Sequence, residues 1–195
     1  DILFCKGNVV PVGKDQLPHI ELTRNIAKAF NRKFCKNREP VFPLPQALLS
    51  KTPSILGLDG SQKMSKSRGN AIFFCSPEDE TASLIKKAKT DSERVITYDP
   101  ESRPEVANLL MLISLCTKEE PAAIAERIGE KGSGELKKVL AEALNEELRP
   151  LRQKRAELEK NPDYIRQVLL EGVEKARAIA IKTLDEVREA MNMKI

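Results

Sequence analysis

The chain has 195 residues, of which 41% are hydrophobic and 32% charged, and a formal net charge of +4. That is enough apolar material for one medium domain or two small ones, a soluble globular protein, and the mild positive charge permits an RNA partner without requiring one. No apolar run approaches the roughly 20 residues that span a bilayer, and the opening "DILFCKGNVV" has neither the basic flank nor the small-residue cleavage site of a secretory leader.

That opening reads as the middle of a protein. Up to about residue 75 come short β-type runs, "ILF" (2–4), "VVPV" (9–12) and "AIFF" (71–74), broken by prolines and glycines. One helix is predicted between them, "HIELTRNIAKAFN" over 19–31. Its Ile20, Thr23, Ile26, Ala27 and Phe30 share one face, while Glu21, Arg24, Asn25 and Lys28 share the other. A strand, a tight turn at Gly13 and a helix make an α/β unit. Beyond residue 75 the chain reads as helical. In "SPEDE", Ser76 is placed to cap, Pro77 suits the first helical position, and Glu78, Asp79 and Glu80 load the first turn with negative charge. Helical spacing continues through "PEVANLLMLISLC" and residues 135–159. Asn161 and Pro162 then launch a long helix with Ile165, Val168, Leu169, Val173, Ala176, Ile179, Ala180, Leu184, Val187 and Met191 on its inner face. Four or five helices are expected from residue 76 onward, with no internal repeat.

Cys5, Cys35, Cys75 and Cys116 lie far apart with no C-x-x-C pair, and a single histidine leaves no closed zinc site to write down. The thiols are expected to be reduced, in an intracellular protein. The stretch that demands an explanation is "GSQKMSKSRGN" at residues 60–70, where lysines and serines surround one methionine without an acidic residue. It is either a solvated loop or a loop built to meet a polyanion.

"KMSKS" at Lys63 to Ser67 resembles the signature loop of class I aminoacyl-tRNA synthetases, and "VVPVGKDQLPHIELTRNIAKAFN" at 9–31 is similar to the segment after the amino-acid pocket in the tryptophanyl members. Tyrosyl members share Gly13-x-Asp15-Gln16 but lack the preceding Pro-Val and the following His-x-Glu-Leu. The resemblance implies the second half of a Rossmann-type nucleotide-binding domain over 1–75 and a helical domain that reads the tRNA anticodon over 76–195, an α/β plus all-α architecture. It implies ATP as a substrate with Mg²⁺ on its phosphates, L-tryptophan and tRNA-Trp as partners, a homodimer for the complete enzyme, no membrane, and a cytoplasmic or organellar location. Lys63 and Lys66 are the implied catalytic residues. ATP would be met by Gly13, Lys14, Asp15, Ile55 or Leu56, and the loop residues Lys63, Met64, Ser65, Lys66 and Ser67. Met64 is expected to pack beneath the loop and Gly69 to let it hinge. Tryptophan would be met by Asp1 at the indole N–H, by Val10 and Val12 unless these are plain strand core, and by Gln16. Lys14 departs from the family, where an acidic residue is usual.

With His19 alone, the chain cannot hold the His-x-Gly-His motif of such enzymes. It is therefore expected to be a C-terminal portion, inactive alone. His19 itself reads as a structural hydrogen-bonder. Arg149, Arg152, Lys154 and Arg155 are either phosphate contacts or solvated helix faces. Two alternatives stand beside the ligase: a tyrosyl-type synthetase, and a non-catalytic RNA-binding module on the same scaffold.

Overall fold

The computed structural model describes residues 1–49, 55–60 and 62–193. The described chain is mostly helical with one small parallel sheet, and it packs as two units: Asp1–Ser54 with Asn161–Ile195, and Ile55–Lys160.

In the first unit, strand β1 (Val9–Pro11) runs into helix α1 (Leu17–Phe34), which returns to strand β2 (Gln46–Leu48). The strands pair in parallel, Val9 opposite Gln46 and Pro11 opposite Leu48. Pro11 has no N–H to give, and the ladder continues beyond it through Val12 N–H to Leu48 O at 3.0 Å. The join between β1 and α1 is a short 3-10 turn over Lys14–Gln16, with Gln16 N–H donating to Gly13 O at 2.9 Å. Along α1, Ile20 and Ala27 are buried as the spacing predicts, but Ile26 lies at the margin of the stripe and is 48% exposed. The return leg is held to α1 by side chains: the Asn31 amide donates to Phe42 O (2.7 Å) and accepts from Phe42 N–H (3.2 Å), while Arg24 donates to Pro45 O (2.7 Å). Phe30 meets Phe42 edge-on at 5.0 Å, the aromatic part of a small core with Ala27, Cys35 and Val41.

The last helix, α6 (Pro162–Ala190 in chain order), belongs to this unit. Asn161 caps it as predicted, its side-chain oxygen accepting Tyr164 N–H at 3.1 Å. Among the described residues it is the C-terminal end that is seated: Thr183 donates to Phe4 O at 2.7 Å, Lys6 pairs with Glu186, and Val187 and Ala190 pack on the small core. The expected inner face is exposed from Ile165 through Ile179. Periodicity shows that a face is apolar; it does not show that anything covers it.

The second unit contains helices α2 (Glu78–Lys86), α3 (Pro104–Thr117), α4 (Pro121–Ile128) and α5 (Gly132–Glu159). Leu136, Leu140, Leu144 and Leu148 recur every fourth residue along α5 and are buried against Val106, Leu109, Leu110 and Ile113 of α3, Ile85 of α2 and Ile124 of α4. Each fully buried leucine or isoleucine removes enough apolar surface from water to contribute roughly 1.5–3 kcal/mol, and this unit holds the larger core. Arg152 ties α5 to α2 by donating to Thr81 Oγ1 (2.8 Å), and donates also to Phe74 O ahead of α2 (3.2 Å) and to Asn145 Oδ1 on its own helix (2.8 Å).

Three local expectations are corrected. "ILF" forms turns, and "AIFF" is irregular: Ala71 and Ile72 are buried beside the helices, whereas Phe73 and Phe74 are exposed. A short apolar run becomes a strand only where a neighbour completes its hydrogen bonds. Ser76 does not cap α2. Pro77 occupies the cap position, its carbonyl accepting both the N–H and the hydroxyl of Thr81 at 3.0 Å. The packing division falls between residues 54 and 55 and places α6 in the first unit, independently of the change in composition near residue 75.

Candidate functional site

The Lys/Ser-rich loop is a hairpin of the second unit. Leu56 and Lys63 face each other across an antiparallel bridge, Met64 N–H donates to Ile55 O (3.0 Å) and Gly57 N–H to Gln62 O (2.8 Å). Met64 is half-buried and packs against the helical core, which leaves the flanking polar residues on the outer side. Lys63, Lys66, Ser67 and Arg68 are exposed, and the Ser65 and Ser67 hydroxyls lie 3.0 Å apart. Residues Lys66–Arg68 make one 3-10 turn that ends at Gly69 with φ +66°, a left-handed conformation that costs a residue with a Cβ about 1–2 kcal/mol.

Two buried or half-buried amides hold this hairpin in shape. Asn70 accepts Ser65 N–H (2.8 Å), donates to Asp59 (3.0 Å), and accepts Leu58 N–H on its own carbonyl (2.9 Å). Asn108 of α3 accepts Leu56 N–H and donates to Leu56 O, both at 3.0 Å. Helix α3 also supplies Glu105, which sits so close beneath Gly60 (φ +70°) that a Cβ there would lie 2.1 Å from Glu105 Cγ. Lys89 pairs with that carboxylate at 3.0 Å and holds it below the usual carboxylate range.

In the first unit, Val10 and Val12 are half-buried on and just after β1, and Gly13, Lys14, Asp15 and Gln16 form the turn into α1. Lys14, Asp15 and Gln16 are exposed, with Gln16 Nε2 donating to Asp15 at 3.1 Å. Asp1 is exposed, and its carbonyl accepts Cys5 N–H at 3.3 Å. The exposed His19 accepts the Thr23 hydroxyl on its carbonyl. Apart from Asp1, which lies in the turns ahead of β1, the predicted residues fall into two groups, one on β1 and its turn into α1 and one on the hairpin.

Among the basic residues of α5, Arg152 spends its guanidinium on the packing described above. Arg149 pairs with Glu78 (3.0 Å) and Glu146 (2.6 Å), Lys154 with Glu157 (2.9 Å), and Arg155 with Glu159 (2.7 Å). Sequence reasoning missed Asn108 and Glu105. The signal was present, because an asparagine inside the apolar run "VANLLMLI" must find a partner when its helix is packed.

The described chain thus offers a parallel β–α–β return in one unit and a lysine-bearing hairpin set on a helical bundle in the other. The chain belongs to the class I tRNA synthetases of the W and Y group, whose family model matches residues 1–149. Within that group it is 47% identical over 197 residues to a tryptophan–tRNA ligase of Aquifex aeolicus (strain VF5), covering 99% of this chain and 48% of that one. Among solved structures, tryptophanyl-tRNA synthetase from Mycoplasma pneumoniae matches with a TM-score of 0.83 at 28% identity, over 99% of this chain and 60% of that one. The Campylobacter jejuni enzyme, solved with ADP and tryptophan, matches with a TM-score of 0.72 at 31% identity, over 98% and 59%. The chain spans about half the length of the curated relatives it matches.

Proposed function

We propose that the protein acts as an ATP-dependent tryptophan–tRNA ligase, making tryptophanyl-adenylate and passing tryptophan to the end of tRNA-Trp. The observation that carries the reading is the hairpin itself, which packs Met64 against the core and presents Lys63 and Lys66 outward on a loop with a left-handed glycine at its end. In the reaction, an oxygen of the tryptophan carboxylate attacks the α-phosphorus and the bond to the bridging oxygen breaks. Pyrophosphate leaves with the electron pair. Lys63 and Lys66 stabilise that growing charge, Ser65 and Ser67 donate to phosphate oxygens, and no side chain of the chain becomes covalently bound. Mg²⁺ enters on the ATP phosphates as part of the substrate.

Gly13, Lys14 and Asp15 are assigned to ATP, the last two by their exposed position on the β1–α1 turn. Upstream of the hairpin Ile55 is assigned to ATP, with Leu56 the alternative. Asp1 is assigned to the indole N–H, Val10 and Val12 to the ring's slot and Gln16 to the amino acid's polar end. Residues 1–75, with the β–α–β return and the hairpin, then stand for the second half of a Rossmann-type catalytic domain. The helices beyond residue 76 are assigned to the tRNA anticodon arm; Arg149, Lys154 and Arg155 would have to trade carboxylates for phosphates to take part. No helix among the described residues is long and apolar enough to cross a membrane, and the proposed setting is the cytoplasm, with the complete enzyme a homodimer.

The test is amino-acid-dependent ATP–pyrophosphate exchange by the full-length gene product. Exchange with tryptophan and none with tyrosine is expected. Exchange with tyrosine alone would make the protein tyrosyl-type, and tRNA binding with neither exchange would leave a non-catalytic RNA-binding module.

A further inference from the structure

The signature hairpin is held partly from outside: helix α3 binds its upstream arm through the side chain of Asn108. Asn108 accepts from Leu56 N–H and donates to Leu56 O, each at 3.0 Å, so one carboxamide occupies both backbone groups of that residue. Leu56 faces Lys63 across the antiparallel bridge. The amide therefore fixes the segment from which the backbone of Lys63, and three residues later Lys66, takes its position. The helix that carries Asn108 is rigidly seated: its neighbours Val106, Ala107, Leu109 and Leu110 are all buried.

We propose that Asn108 is a positioning residue for adenylate formation, acting through the hairpin to set where the lysines meet the departing pyrophosphate. The proposal rests on the ligase reading above. It follows from the chemistry of the contact: only a carboxamide offers a donor and an acceptor side by side at this reach. Aspartate keeps the acceptor and loses the donor, and alanine loses both. Misplacement of a catalytic group by about 1 Å costs on the order of 100-fold in rate. A loosened stem is expected to cost about 10- to 100-fold in turnover.

The experiment is tryptophan-dependent exchange by the full-length protein carrying Asn108→Ala, Asn108→Asp, Lys66→Ala, and Lys66→Ala with Asn108→Ala. Asn108→Ala is expected to lower kcat with KM for tryptophan unchanged, and Asn108→Asp to retain part of the rate. In the double variant the loss should fall well short of the product of the two single losses, because a residue that acts by placing Lys66 has less to place once Lys66 is gone. Thermal unfolding of each variant is read alongside, and Asn108→Asp keeps the test alive if the alanine variant does not fold. Losses that multiply in full, or that fall on tryptophan KM, would show a merely structural asparagine and overturn the proposal while the ligase reading stands. If the unsubstituted protein shows no tryptophan-dependent exchange, both fall together.

Discussion

Lys66 stands exposed at the start of the 3-10 turn Lys66–Arg68, and no carboxylate lies within the sequence from Gly60 to Asn70 to neutralise it. A cation so placed is of little use to the fold and of much use to a leaving group whose charge rises only in the transition state. In the full-length protein, Lys66→Ala is expected to slow adenylate formation by roughly 100-fold or more with tryptophan affinity nearly unchanged. Lys63→Ala should do the same more weakly. Single-turnover kinetics with separate measurement of tryptophan binding checks this; collapse of tryptophan binding with the rate of the bound complex intact would make the loop structural. Asp1 carries the complementary assignment. Replacing it with Asn lets an amide N–H face the indole N–H, and tryptophan recognition should weaken by about 1 to 3 kcal/mol with ATP affinity little altered. A titration with each ligand separates the two effects.

Among the elements, legibility followed a simple rule: what is local could be read, and what needs a distant neighbour could not. The helix starts at Pro104, Pro162 and the Asn161 cap were visible because they depend on a few adjacent residues. So was the β1–turn–α1 order. Strand β2, "QAL", carries no β-branched residue and lies beside prolines; its only reason to be extended is β1, which lies far upstream. The hairpin's motif was legible down to Met64 packing inward, whereas its anchors Asn70, Glu105 and Asn108 act through contacts with Ser65, Gly60 and Leu56 that no periodicity reports. The long helices show the same divide. Leu140 of α5 and Leu169 of α6 are equally good stripe residues by spacing, yet Leu140 is fully buried and Leu169 is 64% exposed. For this 195-residue chain, Leu140→Ala is expected to destabilise by about 2–5 kcal/mol and Leu169→Ala by less than about 0.5 kcal/mol, measured by urea unfolding. Comparable losses at both positions would mean that the α6 face is covered in solution.

For the molecule as a whole, pH offers a test of how the long connection between α2 and α3 is closed. Arg103 is buried, and its guanidinium gathers that connection: it makes a forked pair with Asp91 (2.7 Å to each oxygen), donates to Val95 O and Thr97 Oγ1 (both 2.7 Å), and lies 3.5 Å from Glu93. The Arg103 hydrogen bonds hold the Asp91 carboxyl below its ordinary range, and the backbone N–H groups of Ser102 and Glu101 do the same for Asp99. Carboxylates depressed in the folded state bind protons more readily in the unfolded one. The stability they lend is therefore complete above the unfolded values of roughly 4, and is lost as pH falls from there through the depressed folded values. Replacing Arg103 with Met removes the cause. At pH 7 the variant should be less stable by about 2 to 3 kcal/mol, less than the full cost of breaking a deeply buried pair because Asp91 retains some contact with water. As pH falls from about 4 through the depressed folded value of Asp91 the gap should narrow, since the protonated carboxyl loses its charge attraction to the guanidinium, leaving the part due to Val95 O and Thr97. Urea midpoints for both chains between pH 7 and pH 2.5 decide it: curves that fall in parallel across the whole range would show that Arg103 stabilises by packing alone and that the acid sensitivity arises elsewhere.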